Sequence, residues 1–142
     1  MSMDLGGFNK GDEVARETFT LTRDHLARYA GASGDFNPIH YRDDVAKNVG
    51  LEGVLAHGML TMGVAVSPIL SWLGESGSVR SYQVRFTKPV YVPAEEGAAL
   101  TSVATVLKPL EAESGELTLS LSVTTEAGDT VLGKAQVVVA PR

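Results

Sequence analysis

The sequence of 142 residues contains no cysteine. This absence excludes a disulfide framework, thiolate zinc sites and a cysteine nucleophile, and it fits a reducing compartment such as the cytoplasm. A run of positive charge is also lacking, because 12 scattered Lys and Arg residues face 17 Asp and Glu residues, which gives a net charge of −5. A chain with this balance is a poor binder of phosphate backbones. We therefore expect no nucleic acid among its partners.

No linker or internal repeat divides the chain, and we expect no secretory signal. Its first segment, MSMDLGGFNKGDEVARE, has neither the basic nor the apolar region of a signal peptide. Residues 53–74 contain no Asp, Glu, Lys or Arg and approach the length of a membrane span, but glycines, polar residues and Pro68 interrupt them. We predict a buried helix here and no membrane insertion. The expected organisation is one cytoplasmic domain covering residues 1–142.

Five segments have the composition of strands. Alternation is clearest in LTLSLSVTT, which places Leu117, Leu119, Leu121 and Val123 on one face. The tight Ala127-Gly128-Asp129 link predicts a hairpin between the last two segments. The predicted strands are residues 12–20, 78–87, 98–107, 116–126 and 129–139.

Two short helices are predicted between the first and second strands. Thr22 is a typical N-cap for the first helix, and Asp43 with Asp44 is predicted to cap the second. The predicted C-terminal stops are Gly31 and Gly34 for the first helix and Gly50 for the second.

A third, long helix is predicted from about His57 to Leu73. Its apolar residues lie on all sides, so most of its surface must be enclosed by other elements. The four strands that follow have short links, which favours an antiparallel sheet. The sequence therefore predicts an α+β fold in which a curved antiparallel sheet wraps a long central helix.

The segment YAGASGDFNPIHYRDDVAKNVGLEGVLAHGMLTM contains the candidate catalytic residues. Asp35 and His40 flank Asn37 and Pro38, and the residue before a proline is pushed out of the helical region. A turn of this kind can bring the carboxylate and the imidazole toward one point, where both are suitable proton carriers near neutral pH. Asp35 and His40 are therefore the predicted acid/base pair.

His57 and Gly58 open the long helix, where backbone N–H groups have no partner and the helix dipole favours negative charge. Glycine at position 58 lets a substrate carbonyl approach these N–H groups closely. Such a site can stabilise an enolate oxygen, so we predict that Gly58 contributes to an oxyanion site.

Structural roles for the same residues stay open. Asp35 also fits a turn cap, and a single histidine such as His40 often serves only as a hydrogen-bonding residue. His57 fits a residue that orients the loop above the helix. Asp35, His40 and His57 lack a recognised metal-ligand spacing, so no metal is expected.

The strings YAGASGDFNPIHY and AHGMLTM, with the later VRFTKPVYVPAEEG, resemble the MaoC-like family of (R)-specific enoyl-thioester hydratases. Within it, the TMG continuation after HGML resembles catalytic subunits of mycolic-acid-type (3R)-hydroxyacyl-carrier-protein dehydratases. The resemblance implies a hot-dog fold, and reversible hydration of trans-2-enoyl thioesters to (R)-3-hydroxyacyl thioesters. It also implies that Asp35 and His40 bind and activate the water, and that the Gly58 amide helps to hold the thioester carbonyl. Asn37 and Pro38 as turn-formers, and His57 as the residue that orients the loop, are the predicted supporting residues.

We interpret Asp35 as the general base toward water and His40 as the group that orients water and serves Cα, with the reversed roles still open. The expected substrate is an acyl-carrier-protein or CoA thioester, and the expected assembly is a homodimer or a heterodimer with a related hot-dog subunit. No cofactor is expected because the reaction is redox-neutral. Two other functions remain open. A hot-dog thioesterase would need a carboxylate on or near the long helix, and residues 53–74 contain none. A non-catalytic acyl-binding partner subunit is the other, and the presence of both Asp35 and His40 argues against it.

Overall fold

A computed structural model describes residues 3–142. It contains five strands and four α-helices, which confirms the predicted α+β class. Short 3₁₀ helices lie at Leu5–Gly7 and Pro38–His40. The main elements in chain order are β1 (Glu13–Leu21), α1 (Arg23–Ser33), α2 (Asp43–Asn48), α3 (Gly58–Ala65), α4 (Ser67–Leu73), β2 (Gly77–Phe86), β3 (Ala98–Lys108), β4 (Leu117–Thr125) and β5 (Thr130–Pro141).

The strands form one antiparallel sheet in the order β1-β3-β4-β5-β2. The predicted hairpin joins β4 to β5, where Gly128 has φ +86° and its N–H donates to the carbonyl of Thr125 at 3.0 Å. The alternation predicted in β4 is confirmed, since its apolar side chains are buried on one face of the sheet. They are Leu117, Leu119, Leu121 and Val123.

Helix α4 contacts β1 and β2, which are the two edge strands of the sheet, and it also contacts β3. One helix can touch both edges of a five-stranded sheet only if the sheet curves around it. Ile69 and Leu73 of α4 are 0% and 2% exposed, and they pack into the same core as the inward side chains of the sheet. This arrangement confirms the predicted hot-dog fold.

The long helix is divided into two consecutive helices at Val66. Pro68 has no N–H to donate, and the N–H groups of Ile69 and Leu70 both bond to the carbonyl of Val66. The division frees the carbonyl of Ala65, which instead accepts a hydrogen bond from the buried hydroxyl of Ser102 at 2.7 Å. No helix formed by residues 3–142 has both the length and the apolar character needed to span a membrane.

The predicted helix ends are partly confirmed. Thr22 is the N-cap of α1, and its side chain accepts from the N–H of His25. Gly34 ends α1 in the left-handed conformation with φ +79°, but Gly31 lies inside the helix, so its assignment as a stop was wrong. The predicted cap of α2 was also wrong. Arg42 occupies the cap position without a side-chain cap bond, and Asp43 and Asp44 lie in the first turn.

Candidate active site

The loop that follows α1 turns sharply and is stabilised by its own side chains. Asp35 begins it, and one carboxylate oxygen of Asp35, Oδ1, accepts a hydrogen bond from the N–H of Asn37 at 3.2 Å. The side-chain oxygen of Asn37 in turn accepts from Ile39 at 3.3 Å, and Pro38 starts the 3₁₀ turn that contains His40. The turn-forming role considered for Asp35 is therefore real, and it leaves the second oxygen, Oδ2, free for another contact.

His40 is buried beneath this turn, with 8% of its surface exposed. Its Nδ1 lies 2.7 Å from the carbonyl oxygen of Leu55, which can only accept, so Nδ1 carries the hydrogen. The opposite nitrogen, Nε2, therefore has the lone pair in the neutral ring, and it lies 3.9 Å from Oδ2 of Asp35. That distance is too long for a direct hydrogen bond, but it allows both atoms to reach one oxygen placed between them.

His57 lies under His40 and is 2% exposed. The two imidazole rings stack with centroids 3.8 Å apart, and the ring of Tyr29 meets His57 edge-on at 4.7 Å. Nε2 of His57 donates to the backbone carbonyl of Asp35 at 3.1 Å. Burial lowers the pKa of His57, and the nearby His40 lowers it further, so the neutral ring is favoured. His57 thus ties the start of the central helix to the residue that carries the carboxylate.

Gly58 is the first residue of α3, and no side chain caps this helix end. The first N–H groups of the helix therefore have no intrahelical partner. Gly58 and Met59, the first two residues of α3, line the same cavity as Asp35 and His40. The ring of Phe86 lies against Gly58, since a Cβ atom placed there would be 3.0 Å from Cε1 of Phe86. A side chain at position 58 would therefore require the ring of Phe86 to shift by a few tenths of an ångström.

A cavity of about 500 Å³ joins these groups, a volume typical of small-molecule sites. Apolar side chains of α3, β2 and β5 line it together with those of residues 55–56 and 89–90, and Asp35 and His40 are among its polar lining residues. Lys88, which makes an ion pair with Asp129 at 2.7 Å, also lines the cavity. The principal lining residues are Asp35, His40, Gly58, Met59, Phe86 and Leu132.

The ligand-type atoms of Asp35, His40 and His57 all lie within 4.8 Å of one another, closer than their sequence spacing suggested. Their orientation nevertheless fits a shared metal ion poorly. A metal bound by imidazole lies in the plane of the ring, and the two rings here are stacked 3.8 Å apart at an angle of 22°. An ion in the plane of one ring would therefore lie well outside the plane of the other.

The structure brings Asp35, His40, His57 and Gly58 together around the cavity, with Asn37 and Pro38 shaping the turn between the first two. Sequence reasoning did not identify the carbonyl of Leu55 or the ring of Phe86 as parts of the site. A backbone carbonyl leaves no signal in a sequence. Phe86, in contrast, lies in the VRFTKPV string, which is one of the segments that carry the family resemblance.

The profile of the family described as "MaoC like domain" matches residues 9–127, well over half of the chain. A relative from Mycobacterium tuberculosis, named 3-hydroxyacyl-thioester dehydratase X, is 42% identical over 77 residues, which cover 54% of this chain and 26% of that protein. The chain therefore spans about a quarter of the length of this curated relative.

Two solved structures are similar over nearly the whole chain. One, titled MaoC-like dehydratase, superposes with a TM-score of 0.88 at 32% identity, covering 98% of this chain and 42% of that one. The other, titled (R)-hydratase from A. caviae involved in PHA biosynthesis, has a TM-score of 0.83 at 24% identity and covers 94% of this chain and 97% of that one. The second similarity bears on the fold alone.

Proposed function

The chain belongs to the MaoC-like domain family, and from this membership we propose that it is a hydro-lyase acting on acyl thioesters. The reaction is the reversible addition of water to a trans-2-enoyl thioester, which yields an (R)-3-hydroxyacyl thioester. One observation carries the proposal: Oδ2 of Asp35 and Nε2 of His40 lie 3.9 Å apart in the cavity that also receives the N-terminus of α3.

In the hydration direction, a water molecule lies between Asp35 and His40. The Asp35 carboxylate takes a proton from the water while the oxygen forms a bond to C3. Electrons from the double bond move onto the thioester oxygen, where the N–H of Gly58 stabilises the enolate. Protonated His40 delivers its Nε2 proton to C2, and the proton on Asp35 then returns to His40. Each proton carrier contributes about 10²- to 10⁴-fold to the rate if well placed.

The placement of the imidazole supports this division of roles. Because Nδ1 of His40 donates to Leu55, a second proton can reside only on Nε2, which faces Asp35 and the cavity. The neutral ring of His57 stacks on His40 without adding a competing charge. Asn37 and Pro38 hold the turn, and His57 holds the carbonyl of Asp35, so these three residues serve as supports.

The substrate tail is expected to occupy the apolar part of the cavity, while the carrier, acyl-carrier protein or CoA, stays outside. The relative named 3-hydroxyacyl-thioester dehydratase X supports the thioester class. Because redox-neutral hydration requires only proton transfer, the proposal includes no cofactor. The lack of cysteine makes a reducing compartment such as the cytoplasm suitable for the protein.

We also propose that the working enzyme is a dimer of hot-dog chains. Met59 and Leu70 on the central helices are 59% and 49% exposed, and Phe86 at the end of edge strand β2 is 55% exposed. A second hot-dog chain would cover these apolar side chains and pair with the β2 edge. Light scattering measures the molar mass of the purified protein and tests this proposal. It distinguishes a homodimer from a monomer that would pair with a related hot-dog subunit.

The decisive experiment follows the loss of enoyl absorbance with purified protein and trans-2-enoyl-CoA substrates of short and long chain. We expect hydration by the wild type, loss of most activity in Asp35→Asn, and wild-type turnover in the matched control Asp44→Asn, whose carboxylate is exposed and contacts Arg42 instead. Release of free CoA would instead show a thioesterase. If the protein shows neither hydration nor release of free CoA, both by itself and with related hot-dog subunits added, a non-catalytic acyl-binding role would be favoured.

A further inference from the structure

Four residues, Arg23, Asp43, Val54 and Val92, form a closed ring of hydrogen bonds. Oδ1 of Asp43 accepts from the N–H of Val54 at 3.1 Å and from Nη2 of Arg23 at 3.0 Å. Nε of the same guanidinium donates to the carbonyl of Val92. The N–H of Val92 then donates to the carbonyl of Val54 at 2.9 Å, which closes the ring. Each polar group of Val54 is therefore fixed by a member of the ring.

The ring lies one residue away from the contact that orients His40. Leu55 follows Val54 directly, and its carbonyl accepts from Nδ1 of His40 at 2.7 Å. The N–H of Leu55 donates to Ile39 at 3.2 Å, and Leu55 forms an isolated bridge with Tyr91, next to Val92. The N–H of Ala56, on the same peptide group as the Leu55 carbonyl, donates to Val90 at 2.8 Å. The ring fixes the residue on the other side of Leu55, so a shift of residue 54 is expected to displace the carbonyl that fixes the tautomer and the direction of the imidazole.

We propose that Arg23 and Asp43 are positioning residues, which hold the Leu55 carbonyl in place and so keep Nε2 of His40 directed at Asp35. The inference rests on the catalytic role proposed for His40. Neither residue touches the cavity that contains Asp35 and His40, so their effect on the reaction passes through the backbone of residues 54 and 55.

The chemistry of both side chains fits this role. A planar guanidinium can donate to Asp43 and to Val92 at the same time, which the single ammonium of lysine cannot do in the same geometry. The pKa of the Asp43 carboxyl is lowered, first by the Val54 N–H and then by Arg23, so the accepting charged form is favoured. Gly53 has no side chain to displace this carboxylate, as a Cβ there would lie 3.3 Å from Oδ1.

A neighbouring ion pair supplies the matched control. Asp44 is adjacent to Asp43 in the first turn of α2 and pairs with Arg42 at 2.6 Å, but both side chains are more than half exposed. Exposed pairs of this kind contribute little. Removal of Asp44 therefore changes the charge of the same helix turn without touching residues 54 and 55.

The test compares Asp43→Ala, Arg23→Lys and Asp44→Ala by steady-state kinetics on a trans-2-enoyl-CoA. A misplacement of about 1 Å at a reacting group can cost about 10²-fold. We expect kcat to fall about 10- to 100-fold in Asp43→Ala and to fall clearly in Arg23→Lys, with KM changed less than about threefold in both. Asp44→Ala should keep the kcat of the wild type. The double variant Arg23→Lys/Asp43→Ala should lose no more than Asp43→Ala, because the two residues act as one unit.

A second readout does not depend on turnover. Nitrogen-15 NMR of the histidine side chains reports which ring nitrogen of His40 carries the hydrogen. We expect a single Nδ1–H tautomer in the wild type and in Asp44→Ala, and a mixture of tautomers in Asp43→Ala and Arg23→Lys. If Asp43→Ala fails to fold, Arg23→Lys decides the question, because it keeps the charge.

Unchanged kcat together with an unchanged His40 tautomer in Asp43→Ala and Arg23→Lys would overturn the positioning role. A fall in kcat shared equally by Asp44→Ala would also overturn it, since charge alone would then explain the loss. If the wild type shows no hydration either alone or with related hot-dog subunits added, the proposed function fails, and the NMR comparison still decides whether the ring orients His40.

Discussion

Residues 34–57, called the catalytic loop after the roles proposed for Asp35 and His40, and the helix-on-sheet core are held together by different forces. In the loop, short polar contacts fix each turn, and large apolar side chains such as Phe36 and Val49 are 60% and 64% exposed. In the core, side chains such as Leu119 and Val137 are fully buried. A few loop residues, namely Ala46, Val54 and Ala56, are also buried, at 0%, 1% and 4% exposed. The loop therefore contributes less apolar burial than the core does, and its polar contacts set the positions of its functional side chains.

This difference separates activity from stability. A change in the loop should alter the positions of proton carriers while the folded state persists, and a change in the core should lower the free energy of unfolding while the remaining folded molecules keep their turnover. The predictions below test that separation from both sides, beginning with the largest expected effect.

The largest effect is expected for His40→Asn. The side-chain amide nitrogen of asparagine can take the place of Nδ1 and keep the hydrogen bond to Leu55, while the group corresponding to Nε2 is lost. We expect kcat/KM to fall about 10²- to 10⁴-fold, because one proton carrier is removed. Steady-state hydration assays and thermal unfolding check this together. A melting temperature that falls with the activity would show that the loop also carries stability.

Leu119→Ala tests the core. Leu119 is 0% exposed in β4, so its truncation leaves a cavity and should lower the free energy of unfolding by about 2–5 kcal/mol. We expect kcat to stay near the wild-type value at a temperature where the variant is folded. Urea unfolding measures the first quantity, and Ser122→Ala on the exposed position of the same strand is the control. A large fall in kcat of Leu119→Ala would contradict the separation.

Ser102→Ala removes the hydrogen bond that the division of the central helix requires. The hydroxyl is fully buried, and without it the Ala65 carbonyl would lack this partner. Leaving a buried carbonyl unsatisfied costs about 1–3 kcal/mol. Urea unfolding should show a loss in this range with no change in KM. A loss below about 0.5 kcal/mol would mean that water or a helix shift satisfies the carbonyl.

The smallest effect is expected for Tyr82→Phe. The hydroxyl of Tyr82 donates to the carbonyl of Met62 at 2.7 Å, and burial raises the pKa of Tyr82 to about 12. Because the pKa of Tyr82 in the folded state is above the ordinary value of 10.0, the neutral hydroxyl stabilises the fold fully below pH 10. That stabilisation is lost as the pH rises toward 12. We expect a loss of about 1 kcal/mol at pH 7. Thermal unfolding at pH 7 and pH 11 should show the difference from wild type shrinking, and a constant difference would contradict this reason.

Local patterns predicted much of the fold. Alternation located the strands, and the side chain of Thr22 caps α1 as expected. The prediction failed where tertiary contacts override local preference. Asp43 looks like a helix cap, yet its carboxylate is used by Val54 and Arg23, which lie 11 and 20 positions away in the chain.

The candidate site was predicted as a set of residues but not as an arrangement. The spacing of Asp35 and His40 indicated a turn, and the structure places their facing atoms 3.9 Å apart. The stacking of His57 on His40 depends on how the loop folds back over α3. The spacing of apolar residues in the sequence predicts helices and strands but not this tertiary contact. The division at Val66 follows from Pro68, whose effect on a buried helix depends on whether Ser102 can satisfy the freed carbonyl.

The order of the strands in the sheet also affects the order in which parts of the chain fold. Strands β3, β4 and β5 are neighbours both in the chain and in the sheet, so each pair can form as a local hairpin. Strand β1 pairs with β3 only when Leu21 meets Ala98, and the intervening segment contains the whole catalytic loop and the central helices. Closing a long loop costs more entropy, and non-local pairing slows folding. A refolding chain should thus regain its strand signal in circular dichroism first and its catalytic turnover last.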